Sequence, residues 1–111
     1  MRAIENLGPW DFHDSEILQA HLDWDSGSTE LIITDWSPAG HVVHVKLLAT
    51  GTTLVHWPRQ HPWGPSTQIR TMNGPTKMHE GHLRLEIEMQ SGDVIVIEAA
   101  EFNLAEEGQA P

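Results

Sequence analysis

A chain of 111 residues has room for one domain and one core, and folding would bury roughly two-thirds of the surface that the unfolded form exposes. Sixteen acidic residues against six basic ones leave a net charge of −10, a field that opposes phosphate backbones and anionic membranes and attracts a basic partner. Cysteine is absent, which excludes a disulfide framework and thiolate metal sites and fits the cytoplasm.

Residues 1–9 form a loosely docked start that ends at Gly8-Pro9 and carries no apolar run of signal-peptide length. No later stretch approaches the ~18 apolar residues of a membrane helix, so a soluble cytoplasmic protein is expected. In Trp10-Asp11-Phe12-His13-Asp14-Ser15-Glu16 aromatic and acidic residues interleave, and Asp14 or Ser15 could cap a short helical turn. A strand follows, with Leu18, Ala20, Leu22 and Trp24 on one face and Gln19, His21 and Asp23 on the other. Asp25-Ser26-Gly27-Ser28 is a turn signal.

Thr29 to Trp36 returns as a strand favoured by β-branched Ile32, Ile33 and Thr34, and Ser37-Pro38-Ala39-Gly40 breaks it. His41 to Ala49 is a third strand with Val43, Val45 and Leu47 on its apolar face; Gly51 marks a bulge or bend, and Thr52 to Trp57 continues extended. Short turns make these three strands a meander. Pro58 to Ser66, with three prolines and Trp63, is an irregular loop. Thr67 to Asn73 is a short strand that Gly74-Pro75 breaks, and Thr76 to Gly81 leads onward.

His82 to Phe102 carries the most regular pattern. Leu83, Leu85, Ile87 and Met89 alternate with His82, Arg84, Glu86 and Glu88; Ser91-Gly92-Asp93 supplies a tight turn; and Val94 to Phe102 completes a hairpin. The tail from Ala105 to Pro111 is small, acidic and expected to fray. The fold class that results is all-β: a single curled antiparallel sheet or small sandwich of six to seven strands with little helix, ordered over about 10–104.

The chemistry-bearing residues do not converge on a catalytic pattern. Of the eight histidines, His41 and His44 are three apart and so point to opposite faces of a regular strand. His79-Glu80-Gly81-His82 has one residue too few after the glutamate for the zincin spacing. A zinc site drawn from His13, His21 and Asp14 across strands is conceivable, but hydrogen-bonded or surface histidines are the plainer reading. Ser15 beside His13 and Asp14 is not a triad, because triads are assembled from distant segments. Neither a Gly-x-Ser-x-Gly elbow nor a glycine-rich phosphate loop is present. Glu86 and Glu88 share a strand face and read first as a solvated outer surface. Among the five tryptophans, Trp24 matches the phase of a core residue, whereas Trp10 and Trp63 lie in proline-flanked loops, where they either lock the loop or anchor a partner.

Phe12-His13-Asp14-Ser15-Glu16-Ile17 followed by a strand, and Pro62-Trp63-Gly64-Pro65-Ser66 followed by Ile69, resemble a pattern of small bacterial β-rich proteins. Some of these are similar to immunity proteins of polymorphic toxin systems. The resemblance spans about residues 10–104 and implies a protein that neutralises a toxin by binding it, with no catalytic residues to carry over. The expectation is therefore a non-enzymatic binding domain without cofactor, facing a basic protein such as a toxin through Trp10, His13, Asp14, Trp63, Glu86 and Glu88. The alternatives are a histidine-based metal- or small-ligand-binding enzyme and a structural subunit of a larger assembly, recruited by sheet extension at an exposed edge strand; a homodimer is also open.

Overall fold

The computed structural model describes residues 2–8, 12–36, 40, 42–58 and 68–109. Within them the chain is one antiparallel sheet built from β2 (Ile17–Asp23), β3 (Ser28–Trp36), β4 (Val42–His56), β5 (Ile69–Lys77), β6 (Leu83–Met89) and β7 (Val94–Gln109). A two-residue β1 (Arg2–Ala3) adds to β7. Across the sheet the strands run β2-β3-β4-β7-β6-β5. The only helix among the described residues is a 3-10 turn at His79–Gly81. The expected all-β curled sheet is the architecture found, and among the described residues no helix is long and apolar enough to cross a membrane.

The alternation read from the sequence sets which face is buried. Leu31 and Ile33 of β3 lie opposite Leu47 and Val45 of β4, and Leu85 and Ile87 of β6 lie opposite Ile97 and Ile95 of β7. All eight are buried, together with Val43, Ala49, Ile69, Met72, Met89, Ala99 and Phe102. The sheet curls around this cluster, so one face, joined by Phe12 from the turn before β2, supplies the core. Long β7 makes the curl possible. Its core side changes phase, from Ile95, Ile97 and Ala99 to Phe102, at the place where Gly51 of β4 passes it. Gly51 has a φ of +64°, and a Cβ there would stand 2.9 Å from the Ala100 Cβ, so a side chain at 51 would be strained in its backbone and would collide with that of Ala100.

Three boundaries differ from the sequence reading. Residues 105–109 do not fray but extend β7 along Val43 to Lys46 of β4, because a strand that long has a partner for its backbone groups. Gly74-Pro75 does not end β5; the strand runs through it with a register shift between Asn73 and Thr76, since a bulge accommodates residues that regular pairing rejects. The start is tied down, with Ile4 N–H donating to the Phe102 carbonyl at 2.8 Å. The Pro58 to Ser66 loop lies, apart from Pro58, outside the described residues.

Candidate functional site

The two outer strands of the curled sheet meet at one end, in a single bridge between Glu16 and Gln68. The turn before β2 builds this seam. Phe12 is wholly buried at a φ of +57°, and Asp14 follows at +64°. These are left-handed conformations that a side chain of phenylalanine's size adopts only when its surroundings impose them. Here the imposed contacts are plain. Ser15 N–H donates to the Phe12 carbonyl at 3.0 Å; Asp14 N–H donates to the Ile69 carbonyl at 2.8 Å; and Ile69 N–H donates to the Ser15 carbonyl at 2.8 Å.

Side chains reinforce the seam. His13 Nδ1 donates to the Arg70 carbonyl at 2.6 Å, and its Nε2 lies 3.5 Å from Asp14 Oδ2. Gln90 Nε2 donates to Asp14 Oδ1. The buried Ser15 hydroxyl donates to Asp35 Oδ1 at 3.1 Å. Beside these residues opens a cleft of about 250 Å³ lined by Asp14, Ser15, Glu16, Thr34, Asp35 and Gln68, with Val42 at one wall. Among the described residues no three or more histidine or carboxylate side chains are grouped so as to hold a metal ion.

The carboxylates expected on the outer face are there, and they are engaged. Arg84 Nη1 lies 2.8 Å from Glu98 Oε2, its cross-strand partner, and its Nε lies 3.8 Å from Glu86 Oε2. Arg70 Nε lies 3.8 Å from Glu88 Oε1. Since the Arg70 carbonyl also holds His13, the structure brings His13, Asp14 and Glu88 into one run of contacts, while Glu86 belongs to the Arg84 group. Trp10 and Trp63 lie outside the described residues.

Trp24 corrects the sequence reading. It does not fill the core but stands 87% exposed in the turn between β2 and β3. Two features move it. β2 ends at Asp23, so the alternation that sets Ala20 and Leu22 opposite Leu31 and Thr29 stops one residue short of Trp24. Asp23 then turns the chain, its Oδ1 accepting from Asp25 N–H at 3.1 Å and Ser26 N–H at 3.2 Å. Further bonds fix the tip. Gly27 N–H donates to the Asp23 carbonyl at 2.9 Å, Thr52 N–H to the Gly27 carbonyl at 2.8 Å, and the Thr29 and Thr52 hydroxyls meet at 3.0 Å.

Leu22 and Leu54, 48% and 42% exposed, flank Trp24 around a cleft of about 320 Å³ whose other walls come from Asp23, Gly27, Thr52, Thr53 and Val55. Composition hinted at this site through the excess of tryptophan. Alternation hid it, because the period does not show where the strand ends and the turn begins. No family model, curated protein or solved structure matches this chain.

Proposed function

We propose that this domain is a non-enzymatic binding protein for a basic protein, acting in the manner of the immunity proteins that its sequence resembles. The observation that supports this most is the distribution of charge. Lys46, Arg70 and Arg84 are held by Glu30, by Glu88, and by Glu86 and Glu98. Half of the six cations are thereby spent on the sheet's own carboxylates, while the chain carries sixteen acidic residues. Asp23 and Asp25 have no ion-pair partner among the described residues. A surface so arranged offers carboxylates to a partner and few cations, which speeds encounter with a basic protein and disfavours an acidic one. Neutralisation of a toxin would then consist of covering its cationic surface.

The test is to mix the purified domain with the purified products of adjacent genes and measure complex formation by size exclusion and calorimetry. A one-to-one complex with a basic product, weakening as salt rises, is expected. Failure to bind any of them, or binding that salt does not touch, would remove the basis of the reading.

A further inference from the structure

We infer that the β2–β3 hairpin tip is the docking surface for that basic partner, with Trp24 as its anchor and Asp23 and Asp25 as its charged rim; this rests on the reading of the domain as a binder of a basic protein. Trp24, Leu22 and Leu54 are apolar and exposed around one cleft, and the backbone beneath them is pinned by hydrogen bonds within the turn and to β4. A tryptophan presented this way is what interface hot spots are made of, and a tip already fixed in shape loses little entropy on docking.

Charge selects the occupant. A second copy of this chain, meeting the tip symmetrically, would set Asp23 and Asp25 against their own counterparts and oppose two net charges of −10. An acidic partner fails for the same reason. The complementary occupant is a cationic protein surface that carries an apolar side chain for the cleft and arginine or lysine for the rim. The seam and outer face fit this role less well, because Asp14, Glu86 and Glu88 already answer to Gln90, Arg84 and Arg70.

Amide shifts of the full chain would be followed by NMR while two ten-residue peptides of equal charge are added, one alternating arginine with leucine, the other arginine with serine. The arginine–leucine peptide should shift residues 22–27 and 52–55, bind the more tightly, and lose roughly 30-fold in affinity against Trp24→Ala, a hot-spot-sized effect. Asp23→Asn keeps the Oδ1 that accepts the turn bonds and removes only the charge; it should lower affinity for both peptides in low salt. Equal binding of both peptides, shifts centred on Glu86 and Glu88, or no shift at the tip at millimolar peptide would overturn the assignment. So would light scattering that finds a dimer which Trp24→Ala converts to monomer. If a neighbouring gene product binds wild-type and Trp24→Ala alike, this surface is wrong and the binding reading stands; if no product binds, the reading itself fails.

Discussion

The two ends of β2 are built from similar materials and used differently. At the seam, an aromatic residue, Phe12, is buried, and the polar groups His13, Asp14 and Ser15 each have a partner on another segment. At the tip, roughly 20 Å away along a strand rising about 3.3 Å per residue, an aromatic residue, Trp24, stands in solvent beside Asp23, whose carboxylate accepts from backbone N–H groups of its own turn. The contrast shows that residue type does not separate scaffold from contact surface. What separates them is whether the side chain's interactions are already satisfied within the fold. The seam ties the two outer strands together, and the tip leaves its apolar surface in solvent.

That division is open to direct attack through stability. Phe12→Ala should have the largest effect. It removes a wholly buried ring from the core cluster and leaves a cavity beneath a left-handed turn, so a loss of about 3–5 kcal/mol is expected in chemical denaturation. A loss under about 1 kcal/mol would mean that the turn is not what closes the sheet. Gly74→Ala comes next. At a φ of +111° its Cβ would stand 2.7 Å from the Arg84 carbonyl oxygen and 3.1 Å from the Thr76 nitrogen. Backbone atoms cannot swing aside, so the β5–β6 pair behind the seam must distort, at a cost of about 1–3 kcal/mol. An unchanged midpoint would show that this edge is soft and carries little of the curl.

The sheet itself was legible because its signals are local. Val43-x-Val45-x-Leu47 and Leu83-x-Leu85-x-Ile87 each repeat with the period of a strand whose one face is buried, and Ser91-Gly92-Asp93 is turn chemistry. The seam was half legible. Asp14 was open to reading as the cap of a turn and His13 as a hydrogen-bonded histidine, and both are engaged there; that their partners would be Gln90 and Arg70 depends on curling, which brings residues 76 and 57 positions apart together. The tip was misread for a physical reason. Alternation was carried one residue past the end of the strand: Ala20 and Leu22 do pair with Leu31 and Thr29, but Trp24 follows Asp23, where the turn begins and the period no longer applies. The extension of β7 over residues 105–109 was missed because small and acidic residues carry no strand preference of their own; β4 supplies the partner that makes them extended.

Ser15→Ala should have a smaller effect than either core change. It deletes the hydroxyl that donates to Asp35 at 3.1 Å from a buried position, and about 1–2 kcal/mol should be lost. Ser15→Thr, which keeps the hydroxyl and adds a methyl group beside the cleft that Ser15 lines, should recover most of that loss; a loss equal to that of Ser15→Ala would show that the hydrogen bond to Asp35 is not its source.

Trp24→Ala should have the smallest effect on folding, and it bears most directly on the contrast between the two ends. The indole is 87% exposed, so truncation removes little contact from the folded state. The bonds that shape the turn come from the side chains of Asp23, Ser26, Ser28, Thr29 and Thr52 and from backbone groups of Asp23, Asp25, Ser26, Gly27, Ser28 and Thr52, none of which the substitution touches. Stability should therefore shift by no more than about 0.5 kcal/mol, with an unchanged slope of the denaturation curve, while binding of a basic apolar ligand falls. Set beside Phe12→Ala in the same denaturant, the two aromatic truncations should differ by at least about 2.5 kcal/mol. A loss above about 1 kcal/mol at Trp24 would mean that in solution the ring lies over Leu22 and Leu54 and clamps the hairpin to β4. The tip would then be a second piece of scaffold, and the partner would have to be sought on another face.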